Sequence, residues 1–276
     1  MILSRKNSHR RRLPIKNHGR QIRIFLAALF VILPIHLAAE PSGAAISSFN
    51  AYVASIEARL AQQHRSGAAF LAPNHDAQSD PSQPIIEKLT PDPSPVAAGA
   101  MLHHWRGTAF VPGAKAADFD RLLRDLPDYP RYFAPQVLTA ALLSGQEDHL
   151  HAAMRVRQHH VLTVVLDTDY EIDFGSLDDR HRYSTSRSIK VSEIASAGTS
   201  KEHVLNADEE HGFLYRLNTY WSYEERPEGL YLQVESISLT RSIPAGLGWA
   251  IGPFVESIPR ESLEFTLQSA AKALRH

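Results

Sequence analysis

The chain of 276 residues contains no cysteine. Disulfide staples, thiolate-bound zinc, iron–sulfur clusters and a cysteine nucleophile are therefore all excluded. Net charge is nearly absent as well: 29 Lys and Arg against 30 Asp and Glu leave a formal −1, so no global basic field points to nucleic acid as a partner. Common signatures of chemistry are missing too. There is no Gly-x-Ser-x-Gly elbow, no phosphate-binding P-loop and no His-Glu-x-x-His pair. The apolar run from Ile24 to Ala39 has 16 residues and includes Pro34 and His36, whereas a membrane-spanning helix wants about 20.

What is present is unevenly spread. Residues 1–23 hold eight Lys and Arg and no acid, and the apolar run follows at once. A basic stretch, a short apolar run and a small-residue end are the parts of a secretory signal peptide. The expectation is a signal peptide over residues 1–39, with cleavage after Ala39 preferred to retention as a signal anchor. Either way the folded part lies outside the cytoplasm, periplasmic or secreted. A retained segment would add a membrane association.

Residues 46–64 carry Ile46, Phe49, Tyr52, Val53, Ile56 and Leu60 at spacings of three and four, which predicts an amphipathic helix with one face to bury. Prolines crowd residues 65–100 among Asp, Ser, Gln and Asn, so this stretch reads as a linker or surface loop. From residue 101 to 276 the pattern becomes that of one domain. A strand ends at Val111-Pro-Gly113, a helix follows over Ala116–Leu126, and then β-type runs succeed one another to Ser242. Their short turns imply antiparallel neighbours. Ser257-Ile-Pro-Arg-Glu261 opens a closing helix whose stripe is Leu263, Leu267, Ala270, Ala271 and Leu274. The fold class is α+β: a curved antiparallel sheet of six to seven strands packed on a long C-terminal helix.

His103-His-Trp-Arg-Gly-Thr-Ala-Phe110, Phe213–Tyr223, Gly229–Arg241 and Ile243–Trp249 together give the chain a resemblance. It resembles the START-like (helix-grip, polyketide-cyclase/dehydrase-like) superfamily, in an exported bacterial branch, over about two-thirds of its length. Membership implies a hydrophobic pocket between sheet and helix. It implies no reaction and no cofactor, because the superfamily spans carriers, cyclases and receptors.

The hairpin of residues 213–242 offers the polar points of such a pocket. A turn centred on Arg226-Pro227 pairs Tyr220 with Gln233, Asn218 with Glu235 and Arg216 with Ile237, all on one face. Read functionally, Arg216, Asn218, Tyr220, Gln233 and Glu235 line the cavity and orient an apolar ligand. Read structurally, the face is solvated and Arg216 pairs with Glu235 across the strands. The fifteen histidines include His149-Leu-His151, but three or four converging ligands are what a metal needs, so none is expected. Gly246-Leu-Gly-Trp-Ala-Ile-Gly252 has the wrong spacing and place for a dinucleotide loop. The expected function is an exported carrier of a lipid or other apolar small molecule. A cyclase-like enzyme using Tyr220, Arg216 and Glu235 is the alternative, and a contact role for the 46–64 helix a third.

Overall fold

The computed structural model describes residues 40–73, 83–159, 163–243 and 248–275, and of residues 248–256 the backbone only. The expected signal segment, 1–39, lies outside the described residues. Helix α1 (Gly43–Gln63) begins where the Ser42 side chain accepts a hydrogen bond from the Ala45 amide at 3.1 Å, satisfying one of the free donors of the first turn. Strand β1 (Ile85–Lys88) pairs antiparallel with β2 (Ala100–Pro112). The stretch expected as a linker therefore contributes a strand. Pro84 and Pro91 flank β1 without entering it, and an outer strand needs hydrogen bonds on one side only.

Two short helices, α2 (Ala116–Arg124) and α3 (Tyr129–Tyr132), lead into β3 (Val137–Gln146), β4 (His149–His159), β5 (Thr163–Ser176), β6 (His181–Ala195), the two-residue β7 (His203–Val204), β8 (Arg216–Arg226) and β9 (Gly229–Arg241). The last helix is α4 (Gly248–Ala273). Strand order is β1-β2-β9-β8-β6-β5-β4-β3, with β7 on β6, and every pairing is antiparallel. The strand count exceeds the six to seven expected because β1 and β7 are too short to show an alternating pattern. The class is as expected: a curved sheet with a C-terminal helix, the helix-grip arrangement.

Alternation along the strands sorts side chains onto two faces. On one, Trp105, Ala109, Trp221, Tyr223, Leu232, Val234, Tyr170, Ile172 and Phe174 form a core with Leu263, Leu267, Ala270 and Ala271 of α4 and with Phe119, Leu122 and Leu123 of α2. Phe119 meets Trp221 and Tyr223 edge-on, with ring centroids 5.0 and 4.9 Å away. Helix α4 approaches β2 so closely that a Cβ at Gly107 would stand 2.3 Å from a Leu267 methyl. Glycine here is a packing requirement.

The other face is not left to water. Helix α1 lies on it, and Phe49, Val53 and Leu60 form a second core with Leu102, Tyr215, Tyr220, Ile237 and Leu239. The described residues are layered helix–sheet–helix, and the apolar stripe of α1 is buried on the domain that follows it rather than serving the contact role named third. Phe49 is 2% exposed, so Phe49→Ala is expected to cost about 3–5 kcal/mol through lost burial and a residual cavity. Urea unfolding measures this; a loss below ~1 kcal/mol would mean that α1 lies outside the cooperative unit.

Candidate functional site

The β8–β9 hairpin turns on Pro227-Glu228, and Gly229 follows with φ of +152°. A Cβ at Gly229 would sit 2.4 Å from the Val111 carbonyl oxygen, so conformation and space both demand glycine. The turn centre sets the register: Tyr220 opposes Glu235, Asn218 opposes Ile237, Arg216 opposes Leu239 and Ser222 opposes Gln233. Each pairing is displaced by two residues from the sequence expectation. A shift of two preserves faces, so Arg216, Asn218, Tyr220, Gln233 and Glu235 do lie on one side of the sheet.

That side is the α1 side. The placement of these five residues in a cavity under the C-terminal helix is thereby corrected. The physical reason is that Trp221, Tyr223, Leu232 and Val234 on the opposite face supply the larger apolar surface, and they take the layer shared with α4 and α2.

Glu235 is 2% exposed. A carboxylate so buried is tolerated only if paired and hydrogen-bonded. His104 Nε2 lies 2.9 Å from Oε2, Arg106 Nε donates to Oε1 at 3.0 Å, and Arg59 of α1 donates to Oε2. Tyr52, also of α1, contacts His104 Nδ1 at 2.7 Å. Burial pushes the carboxyl upward, but the His104 bond and the Arg106 and Arg59 charges outweigh it and hold the group down at about 2. Burial and the Glu235 charge together raise Tyr52, which rules it out as an activated phenolate.

The neighbours are occupied in the same manner. Tyr220 donates to Glu57 of α1 at 2.9 Å and receives a bond from the Asn218 amide at 3.1 Å. Glu57 also accepts from Arg187 Nε at 2.7 Å, and Arg187 reaches Asp173 at 2.8 Å. Gln233 accepts from the Ala72 amide at 2.8 Å and donates to Thr108 at 3.2 Å, fastening the segment after α1. His64, stacked on Tyr183 with ring centroids 4.3 Å apart and 2.8 Å from the Ser222 hydroxyl, is pushed down to about 4, first by burial and then by the Arg59 charge. Of the five residues named from the sequence, four hold α1 and its continuation to the sheet. Arg216 is set apart, and its guanidinium donates to the Tyr215 carbonyl at 2.7 Å.

The face toward α4 has another character. Cross-strand neighbours form a row Leu150–Ile172–Ser186–Thr219–Ser236–Trp105 from β4 to β2. Leu150, Ile172 and Trp105 are buried, yet Ser186, Thr219 and Ser236, on inner strands, are only half-buried. Ser184 and Ser188 continue this small-residue floor on β6 and Ser238 on β9, with Tyr170 and Trp221 as its aromatic walls. Thr168 is 1% exposed and its Oγ1 finds no partner of hydrogen-bond geometry among the described residues. Burial raises the nearby Tyr170 phenol to about 12, so it acts as a neutral donor, the Thr168 hydroxyl opposing the shift in part. None of these positions carries a charge. No periodicity marked them, because Ser and Thr alternating through β6 look like an ordinary solvated strand.

No family model matches the chain, and no curated protein matches it. Among solved structures, similarity extends to a STAR-related lipid transfer protein fragment from Xanthomonas axonopodis, 17% identical over 69% of this chain and 99% of that one, with a TM-score of 0.43. It extends also to the Zhui aromatase/cyclase of Streptomyces sp. R1128 (11%, 63% and 94%, 0.44) and to human STARD10 (8%, 75% and 80%, 0.42). Likeness at this level goes no further than fold, and the reading of the site rests on its residues.

Removing the charge of Glu235 while keeping its shape strands Arg106 and Arg59 without their anion. Glu235→Gln is expected to lower unfolding free energy by about 3–5 kcal/mol, measured by urea titration. A loss below ~1 kcal/mol would show the cluster to be dispensable.

Acid acts on two groups in the same direction. The unfolded chain protonates His64 at about 6.5 but the folded one only near 4, so stability falls as pH drops through that interval. Glu235 stabilises above its ordinary 4.5, and that contribution drains away as pH falls toward 2. Thermal unfolding between pH 7 and 3 is expected to show Tm declining throughout. His64→Gln should flatten the upper part of the slope and leave the lower part; an unchanged upper slope would remove His64 from the account.

Proposed function

We propose that the protein is an exported binding protein holding a lipid or other apolar small molecule between the sheet and α4. One observation carries the reading. Across the inner strands, where side chains are normally packed tight, Ser186, Thr219 and Ser236 stay half-buried between buried Ile172 and Trp105. Protein interiors leave few voids larger than a water molecule, so a partly open row of small side chains inside aromatic walls marks a place for a ligand. The buried Thr168 hydroxyl and the Tyr170 phenol beside it give that ligand a polar anchor. A mostly apolar lining with few polar points is the usual make-up of a small-molecule site. Export rests on the basic, apolar and small-residue order of residues 1–39.

A cyclase-like reaction needs an acid and a base beside the ligand. Tyr220, Arg216 and Glu235, the groups named for it from the sequence, face α1, so that reading keeps none of its three named residues.

Native mass spectrometry of protein purified from its own host is expected to show an extractable apolar molecule. Thr219→Trp, which fills the row, should abolish the bound mass with little change in Tm. Glu235→Gln should lower Tm and leave occupancy intact. Preparations that are repeatedly empty and resist lipid loading would sink the carrier reading. Amino-terminal sequencing of the exported form should begin at Glu40; a sequence retaining residues 1–39 would replace cleavage by anchoring.

A further inference from the structure

A separate feature lies on the α1 side, away from the layer under α4. It is a cleft of about 300 Å³ lined by Glu40, Ile46, Val191, Glu210, Tyr215 and Arg216, within the size range of small-ligand sites. Three of its polar groups are incompletely satisfied. The Arg216 guanidinium, with its five donors, bonds only to the Tyr215 carbonyl, and no carboxylate lies within ion-pair distance among the described residues. Tyr215 is 6% exposed, and its hydroxyl has no hydrogen-bond partner among the described residues. The Glu210 carboxylate accepts from the Glu193 amide at 3.2 Å, and among the described residues no side-chain cation lies within ion-pair distance of it. Its pKa is raised, first by burial and further by the charges of Glu193 and Glu40. A cation placed beside it would reverse that penalty.

We propose that this cleft binds a small zwitterion, its oxyanion end on Arg216 and Tyr215 and its ammonium end on Glu210 and Glu40. A guanidinium and a phenol are a matched donor pair for a carboxylate or phosphate. A simple anion leaves the two carboxylates repelling one another, and a simple cation leaves Arg216 unused. Only a ligand bearing both charges answers both ends. Such chemistry occurs in free metabolites and in the headgroups of aminophospholipids. The inference does not depend on what α4 covers, and it concerns the chain in which Glu40 keeps its peptide bond to Ala39, because a new amino terminus there would itself bring an ammonium to Glu210.

The test is isothermal titration calorimetry of the purified chain with O-phosphoethanolamine and with γ-aminobutyrate. Inorganic phosphate and ethanolamine are titrated singly. Saturable one-site binding of at least one zwitterion is expected, with affinity at least ~10-fold above that of phosphate or ethanolamine, the scale of one charge-assisted pair. Arg216→Ala should lose binding at least ~10-fold. Arg216 makes no ion pair among the described residues, so Tm should hold. Glu210→Gln should weaken the zwitterion and spare phosphate. Flotation with phosphatidylethanolamine vesicles, competed by O-phosphoethanolamine, separates the sources: capture assigns a headgroup, and calorimetric binding without capture assigns a free zwitterion. The proposal is overturned if neither zwitterion saturates, if phosphate alone binds as well, or if Arg216→Ala binds like the parent with Tm unchanged.

Discussion

A single buried carboxylate organises the α1 side of this protein. Glu235 sits on the inner strand β9, and burying its charge is tolerable only because His104 and Arg106 on β2 and Arg59 on α1 converge on its two oxygens. Those three partners come from two separate elements. Satisfying one group therefore fixes the β2–β9 register and fastens the first helix to the sheet in one act. Any slip of β9 by one residue would send Glu235 into the apolar layer and leave two guanidinium groups facing Val234 or Ser236.

With its polar groups consumed on that face, the sheet is free to be uncharged on the other. Aromatic side chains from β2, β5 and β8 meet the leucines of α4, and small hydroxyl residues occupy the middle. One hairpin thus serves two ends: its even-numbered β8 residues tie α1, and its odd-numbered ones face α4. The same division explains why the charged residues of the hairpin make poor reagents. Glu235, the most buried of them, already has the counter-charges that stability requires.

Much of the architecture was legible in the sequence. The stripe from Ile46 to Leu60 marked α1, the alternating runs to Ser242 marked the long strands, and Leu263 to Leu274 marked the packed half of α4. The five polar hairpin residues were also grouped on one face, which survives a register shifted by two. Which face that is could not be read, since alternation gives two sets and not their neighbours; the neighbour here comes from Glu57 and Arg59, 163 and 176 residues away from Tyr220 and Glu235. Strand β1 was hidden by the prolines around it. The hydroxyl floor was hidden for the opposite reason: Ser184, Ser186 and Ser188 read as surface, and only the aromatic walls on other strands reveal them as interior.

The order of strands has a consequence for when this fold can exist. Strand β2 is among the first made and β9 the last, yet they lie side by side, with His104 and Glu235 separated by 131 residues. Closing so distant a contact is slow and comes late. Until the chain has been synthesised to Arg241, β2 lacks its inner neighbour, α1 lacks Glu235 and Ile237 beneath it, and α4 has no completed surface to grip. Both layers are therefore completed only when the last strand and the closing helix are in place.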